Sequence, residues 1–177
     1  IPYGVHTAAL PELDAKVLAP PLRLVVVSRL APNKRVDQAI RAMHCLRELR
    51  IDAQLRIVGT GVVEAQLRQL ANELNLSDRI QFTGSLSESE KDHFLQEAHF
   101  LLHSSQREGW GLNIIEANAM GTPAIVYPVA GLTEATLHEE TGLVTQAETP
   151  EAKARSIAAA FQAPASSLLP GWQDAMR

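Results

Sequence analysis

The sequence is poor in the features that cross-link a chain, anchor it in a bilayer or export it. Cys45 is the only cysteine among 177 residues, so no internal disulfide can form, which agrees with a reducing compartment such as the cytoplasm. The longest apolar runs have only a few residues, so no membrane span is expected. The first twenty residues lack the pattern of a signal peptide, so no secretory leader is expected either.

Motifs that identify several common enzyme classes are also missing. No His-Glu-x-x-His motif or cysteine cluster accompanies His99 and His103, so we expect no metal site. The absence of Gly-x-Ser-x-Gly argues against a serine hydrolase. Gly59 and Gly61 are followed by Glu64 where a dinucleotide-binding fingerprint requires a third glycine, and no Gly-Lys-Ser/Thr of a P-loop follows. A Rossmann dehydrogenase is therefore disfavoured.

The net charge of −4 argues against general nucleic-acid binding, but the charge is unevenly distributed. Residues 22–58 hold eight of the sixteen Lys and Arg residues and only three acidic residues, so this window carries +5 and the rest of the chain −9. Solvated helix faces would explain this excess, and so would an anion site near the first predicted strand. Both explanations stay open at this point.

Short apolar runs alternate with segments of helical spacing along most of the chain. The alternation predicts an α/β fold, a Rossmann-like parallel sheet with helices on both faces. Ser87 and Glu90 form a Ser-x-x-Glu capping box that opens one of the predicted helices. The predicted strands are 22–28, 54–59, 80–84, 99–103, 124–128 and 142–144, and the predicted helices are 36–49, 67–74, 88–98, 112–120 and 151–163.

The length suits one domain with a substantial core. Residues 1–21 are rich in proline and predict a hinge or linker segment. Residues 22–163 form the predicted Rossmann-like domain, and residues 164–177 form a C-terminal tail.

Ligands of open parallel sheets bind beyond the carboxyl ends of the strands, and the loops expected there carry suggestive residues. Arg29 and Lys34 flank a proline turn after the first strand and suit a diphosphate, although two solvated loop cations would look the same. The turn at Gly59 and Gly61 permits close approach of a ligand to the backbone, or is a plain tight turn. The backbone after Gly84 is placed to read a base edge, but nothing local requires it.

The stretch "REGWGLNIIEANAMGTP" (107–123) combines two carboxylates with a glycine-bracketed helix start. Gly109 and Gly111 leave the first helical amides uncrowded, which favours an anion site. Glu108 and Glu116 could both face one cleft and accept hydrogen bonds from sugar hydroxyls. Alternatively, Glu108 compensates the helix dipole and Glu116 pairs with a neighbouring cation. Trp110 is interpreted as a packing anchor.

In this order, the segments resemble the C-terminal, donor-binding half of a retaining GT-B glycosyltransferase of family 4, over nearly the whole chain. "IPYGVH" is similar to the hinge stretch Ile-Pro-Asn-Gly-Val-Asp, with Tyr3 and His6 departing from it. "SRLAPNKRVDQAIRA" is similar to the Gly-Arg-Leu…Lys-Gly segment, with Ser28 and Arg35 replacing the glycines. "LRIVGTG" and "IQFTGSLSESE" match the next two blocks, and "EGWGLNIIEANAMGTPAIV" matches the Glu-x7-Glu signature.

The resemblance implies a role for each of these segments. Arg29 and Lys34 would clamp the donor diphosphate and Glu108 would lie against the transferred sugar, which makes these three the catalytic candidates. The resemblance also implies three groups of nucleotide-binding candidates. Glu116 would hold the ribose, and the helix start at Gly109, Gly111, Leu112 and Asn113 would bind phosphate. The ribose and base pocket would be lined by Gly59, Gly61, Thr83, Gly84 and Ser85.

The resemblance also implies the reaction. A hexosyl group would move from a nucleoside-diphosphate sugar to an acceptor glycan, lipid or small molecule, with retention by front-side return and without metal or cofactor. The acceptor would bind an N-terminal domain absent from this chain, so the chain alone is expected to be inactive or weakly active, and peripheral membrane association of a full-length protein is left open. The alternatives are a non-catalytic nucleotide-binding or regulatory module, and another GT-B enzyme such as a phosphorylase or sugar-nucleotide epimerase.

Overall fold

Six short apolar runs pair into one parallel sheet. The computed structural model describes residues 19–108, 111–136 and 141–162. The sheet order is β3-β2-β1-β4-β5-β6, and every neighbouring pair is parallel. The strands are β1 (Leu22–Val27), β2 (Ala53–Val58), β3 (Ile80–Gly84), β4 (Phe100–His103), β5 (Ala124–Val126) and β6 (Gly142–Val144).

Helices cover both faces of the sheet because the central strands are apolar on both sides. In β1, Leu24 and Val26 belong to the core cluster formed with α1, α2 and α6, whereas Val25 belongs to the cluster formed with α3, α4 and α5. The helices are α1 (Asp37–Glu48), α2 (Glu64–Glu73), α3 (Glu88–Glu97), α4 (Leu112–Ala119), α5 (Leu132–Ala135) and α6 (Pro150–Gln162), with a 3-10 turn, Pro32–Lys34, before α1.

The strand order positions the functional site. The order reverses between β1 and β4, which are direct neighbours in the sheet although two strands separate them in sequence. The loop after β1 and the loop after β4 therefore run to opposite sides of the sheet and leave a crevice between them. In open α/β sheets, this switch point is where ligands bind.

The predicted α/β fold class is confirmed, and both hydrogen bonds of the predicted capping box are present. The Ser87 hydroxyl accepts a hydrogen bond from the Glu90 amide at 3.2 Å, and the Glu90 carboxylate accepts one from the Ser87 amide at 2.9 Å. Most predicted ends shift by one or two residues, but the helix predicted over 67–74 begins three residues earlier, at Glu64. The strand predicted over 124–128 ends at Val126, because Pro128 has no N–H to continue a ladder.

Two short elements were not predicted, and some predictions fall outside the described residues. The 3-10 turn Pro32–Lys34 and the four-residue α5 are too short to produce a periodic apolar pattern. The hinge prediction for residues 1–18, the site prediction for Gly109, the packing role of Trp110 and the tail at 164–177 lie outside the described part of the chain.

Candidate functional site

A cleft of about 270 Å³ opens at the switch point, between the loops that follow β1 and β4. Asn113, in the first turn of α4, ties its two sides together, because its side-chain amide donates to the Val27 carbonyl at 2.9 Å. Among the described residues, the cleft is lined by Val27, Ser28, Arg29, Lys34, Glu108, Gly111, Leu112 and Asn113. Six of these were predicted as site residues: Arg29, Lys34, Glu108, Gly111, Leu112 and Asn113.

An ion pair joins Lys34 and Glu108 across the cleft, although the two residues lie 74 positions apart. Lys34 Nζ is 2.5 Å from Glu108 Oε1, and the two side chains are only 15% and 18% exposed. Low exposure limits screening by water, so we expect this pair to be stronger than a surface ion pair. The structure therefore brings two of the three catalytic candidates into contact, while Arg29 is exposed at the rim of the same cleft.

Backbone hydrogen bonds hold the loop of Lys34 against the loop of Glu108. The Asn33 carbonyl accepts from the Gln106 amide at 2.9 Å and from the Ser105 hydroxyl at 3.4 Å. The Ser105 hydroxyl also contacts the Arg107 carbonyl at 2.8 Å. The position of Lys34 relative to Glu108 is thus set by the backbone and does not depend on the ion pair alone.

Arg35 adds a side-chain bridge between the same two loops. Its guanidinium donates to the Ser104 carbonyl at 2.7 Å and the Ser105 carbonyl at 3.4 Å, pairs with Glu148 at 3.2 Å, and lies 5.3 Å from the centre of the Tyr127 ring. Its backbone is left-handed, with φ of 48°, a conformation that costs a non-glycine residue roughly 1–2 kcal/mol. These contacts offset that cost, and they give Arg35 a structural role behind the cleft.

His103, at the carboxyl end of β4, lies directly behind Glu108. Its ring is buried, its Nδ1 accepts from the Ser105 amide at 3.4 Å, and its Nε2 is 3.6 Å from Glu108 Oε1. Burial lowers the pKa of His103 to about 4; Glu108 and the nearby Asn113 oppose this shift, while Lys153 and Lys34 reinforce it. The ring is therefore neutral at neutral pH.

Lys153 on α6 contacts the carboxyl end of β4, next to the cleft. Its ammonium nitrogen is fully buried, donates to the His103 carbonyl at 2.8 Å and to the Ser104 hydroxyl at 2.6 Å, and lies 4.2 Å from the centre of the Tyr127 ring. Burial, with a smaller contribution from Arg35, lowers the pKa of Lys153 well below its usual value. These contacts fix the end of the strand that carries His103.

Glu116 lies apart from the Lys34–Glu108 pair, on the α3 side of α4. Its carboxylate is 3.0 Å from Lys91 Nζ, and Lys91 also contacts Glu88 at 2.6 Å. Burial lowers the pKa of Lys91, but the bonds to Glu88 and Glu116 outweigh it and raise the pKa overall. The cation-pairing alternative considered for Glu116 thus describes its contact in the structure, and Glu116 is not among the described residues that line the cleft.

The remaining predicted residues form the neighbouring part of the same sheet edge. The Gly59 amide donates to the Gly84 carbonyl at 2.9 Å, and the Thr83 hydroxyl donates to the Gly84 carbonyl at 3.0 Å, just before Ser85. A Cβ at Gly59 would overlap the Ser28 carbonyl, and one at Gly61 the Leu30 carbonyl. These two glycines are therefore required for close packing against the loop after β1.

Sequence reasoning missed three residues of this region. His103 was considered only as a metal ligand, although its place at the end of a central strand marked it as a site candidate. Lys91 was not considered, although Glu88 three residues earlier indicated an ion pair. Gly131 gave no signal in sequence: a Cβ there would overlap the Glu108 carbonyl, so this glycine lets the loop after β5 pack against Glu108.

The described residues contain neither a metal-binding cluster nor a membrane-spanning helix. No cluster of three or more His, Cys, Asp or Glu side chains suited to a metal ion occurs within 19–108, 111–136 and 141–162. Within the same ranges, no helix combines the length and apolar character needed to cross a membrane.

Comparison with known proteins identifies the family. Residues 14–168 match the family model described as glycosyl transferases group 1. A GDP-mannose-dependent alpha-(1-6)-phosphatidylinositol monomannoside mannosyltransferase of Mycobacterium tuberculosis is 32% identical over 143 residues, which cover 76% of this chain and 37% of that protein. The chain thus spans little more than a third of this curated relative.

Two solved structures share the fold. The pneumococcal O-GlcNAc transferase GtfA, in complex with UDP and GlcNAc, has a TM-score of 0.76 at 24% identity, covering 88% of this chain and 31% of that chain. The C-terminal domain of LpcC, a group 1 glycosyl transferase from Francisella tularensis, has a TM-score of 0.73 at 17% identity, covering 88% and 82%. The chain belongs to the group 1 glycosyl transferase family and has the Rossmann-like fold of the C-terminal half of a GT-B glycosyltransferase.

Proposed function

We propose that the chain is the donor-binding half of an enzyme that moves a hexosyl group from a nucleoside-diphosphate sugar to an acceptor with retention of anomeric configuration. The observation that carries this proposal is the switch-point cleft, which is lined by Arg29, by the start of α4 and by the ion pair of Lys34 with Glu108. The Mycobacterium tuberculosis relative is named as GDP-mannose-dependent, and the pneumococcal structure contains UDP, which supports a nucleoside diphosphate as the ligand class.

The diphosphate would lie between Lys34, Arg29 and the first turn of α4. A helix start presents amides without intrahelical partners, and these, with a guanidinium and an ammonium, suit an extended dianion. Leu112 and Asn113 form this first turn, and both line the cleft. Binding would require Lys34 to share or exchange its present partner, Glu108, for a phosphate oxygen.

Glu108 would then face the transferred sugar and accept hydrogen bonds from its hydroxyls. In the reaction, the bond between the anomeric carbon and the diphosphate oxygen breaks, and its electron pair leaves with the nucleoside diphosphate. The new bond forms between the anomeric carbon and the acceptor oxygen, and the proton of the acceptor hydroxyl passes to the leaving diphosphate oxygen. Lys34 and Arg29 would stabilise the charge on the leaving diphosphate, as preorganised cations do for a developing anion. In this proposal the side chains and the helix start supply that stabilisation, so neither a metal nor a cofactor takes part.

The nucleoside would extend along the sheet edge toward β2 and β3. Glu116 is held by Lys91, yet 27% of its side chain remains exposed, so a free face is available to ribose hydroxyls. The turn at Gly59 and Gly61 and the backbone from Thr83 to Ser85 would line the ribose and base pocket. Glu116 would thus hold the ribose while the ion pair with Lys91 keeps its carboxylate oriented.

The rest of the proposal concerns the whole protein. Because the chain spans 37% of its Mycobacterium tuberculosis relative, we propose that the acceptor binds a separate N-terminal domain. The chain alone should bind nucleotide but transfer sugar weakly or not at all, and efficient transfer to a simple acceptor by this chain would contradict that. A cytoplasmic location is part of the proposal, supported by the lone Cys45.

Calorimetric titration of the chain with UDP, GDP, ADP and dTDP tests the proposal. One of the four should bind, and Lys34→Ala should weaken its affinity about tenfold or more. Glu108→Gln should leave the affinity unchanged or raise it, because it frees Lys34 from its partner. Arg79→Ala is the matched control and should not change the affinity. Arg79 lies just before β3, at the end of the sheet opposite the cleft, where it pairs with Asp52. Failure of all four nucleotides to bind would contradict the proposed function.

A further inference from the structure

A buried polar atom beside the proposed catalytic carboxylate has no hydrogen-bond partner in the described part of the chain. His103 Nε2 has no hydrogen-bond partner among the described residues, and the ring that carries it is only 6% exposed. Buried polar groups are nearly always satisfied, so an exception at a candidate site calls for a physical reason.

The other ring nitrogen determines which proton His103 carries. Nδ1 faces the amide N–H of Ser105 at 3.4 Å, and an N–H can only donate, so Nδ1 must act as the acceptor. A neutral imidazole with an accepting Nδ1 carries its proton on Nε2. Nε2 is therefore an N–H donor, and Glu108 Oε1, at 3.6 Å, lies roughly 0.4 Å beyond the usual upper limit of an N–H···O hydrogen bond.

Lys34 explains why this donor is left without a partner. The same oxygen, Glu108 Oε1, lies 2.5 Å from Lys34 Nζ and 3.6 Å from His103 Nε2. Lys34 and His103 thus compete for one carboxylate oxygen, and in this arrangement the ammonium holds it. A small rotation of the carboxylate toward His103 would complete the second contact.

We propose that His103 is a positioning residue that takes over Glu108 when a donor diphosphate draws Lys34 away. Its Nε2–H then donates to the carboxylate and keeps it directed at the sugar while Lys34 binds phosphate. This inference rests on the proposed function, in which Lys34 exchanges Glu108 for the diphosphate. It also gives a reason for a neutral histidine here, since a donor without charge orients Glu108 without competing with Lys34 for the phosphate.

Removal of the Lys34 charge without any ligand tests the exchange. Nitrogen-15 spectra of the histidine side chains report the tautomer and pKa of His103, and His103→Gln assigns its signal. In the unmodified chain, His103 should be the Nε2–H tautomer with a pKa near 4. In Lys34→Met, which keeps an apolar stem, that pKa should rise by about one unit or more, and the Nε2 proton should shift downfield.

The groups that face His103 are the charges of Glu108, Lys34 and Lys153 and the side-chain amide of Asn113, and two control variants isolate the contact with Glu108. Arg29→Ala removes a different cation of the same cleft and should leave the His103 signal unchanged. Lys34→Met combined with Glu108→Gln should abolish the rise in pKa. An Nδ1–H tautomer in the unmodified chain, an Nε2 proton shift that stays unchanged in Lys34→Met, or a downfield shift that survives Glu108→Gln would each overturn the proposal. Since no nucleotide is used, these outcomes are independent of the calorimetric test of function.

Discussion

The strength of the Lys34–Glu108 ion pair can be predicted from its burial and tested by a double-mutant cycle. Lys34→Met and Glu108→Gln each remove one charge and keep most of the side-chain volume. The pair is 2.5 Å long with 15% and 18% exposed side chains, so it lies between a surface pair, worth about 0.2–1 kcal/mol, and a fully buried one, whose breakage costs about 3–5 kcal/mol. We expect a coupling free energy of about 2 kcal/mol, equivalent to roughly 4–8 °C in Tm for a chain of this size.

The Arg79–Asp52 pair is a matched control for the effect of burial. It is 2.6 Å long, almost the same as Lys34–Glu108, but its side chains are 42% and 46% exposed. Its coupling free energy should be below about 1 kcal/mol. Urea unfolding of both sets of single and double variants at moderate salt gives the two values. If the Lys34–Glu108 coupling is no larger than that of Arg79–Asp52, the argument that burial strengthens the cleft pair is wrong.

Two further predictions concern the surroundings of Glu108. Gly131→Ala should destabilise the chain by about 2–4 kcal/mol in thermal unfolding, since its Cβ would overlap the Glu108 carbonyl. Gly84→Ala, also at positive φ but in open space, should cost only about 1–2 kcal/mol. Equal losses in the two variants would show that the overlap has no effect. His103 has a folded-state pKa of about 4, below its unfolded value of 6.5, so its contribution is complete above pH 6.5 and is lost as pH falls toward 4. The unfolding free energy should therefore drop by about 2–3 kcal/mol more between pH 7.5 and 4.5 in the unmodified chain than in His103→Leu, and equal drops would contradict a buried neutral imidazole.

Local patterns predicted most of the elements because each one depends on residues close in sequence. The apolar run of β1, the stripe of α1 and the capping box at Ser87 and Glu90 each occur within a few residues of where they were predicted. The 3-10 turn before α1 and the short α5 were missed, since a segment of three or four residues has no period to detect. The left-handed backbone of Arg35 is likewise stabilised by distant carbonyls that no local pattern reveals.

In the candidate site as well, the sequence predicted which residues gather but not which of them pair. Arg29, Lys34, Glu108 and the start of α4 were predicted because loops at the carboxyl ends of parallel strands share one edge, and the structure places them in one cleft. The partner of each carboxylate could not be predicted. Glu116 meets Lys91 across α3 and α4, and Glu108 lies between Lys34 and His103, because helix packing and the β1–β4 pairing decide those contacts.

By itself, the sequence determined the class of fold, the family and the chemical types gathered at one edge of the sheet. These follow from periodicity, from glycine positions and from the spacing of Glu108 and Glu116, which are all local properties of the chain. Only the tertiary structure decided that Lys34 holds Glu108, that Lys91 holds Glu116 and that Nε2 of His103 has no hydrogen-bond partner among the described residues. Such contacts depend on differences of an ångström or less between side chains brought together from distant strands, and no spacing along the chain encodes them.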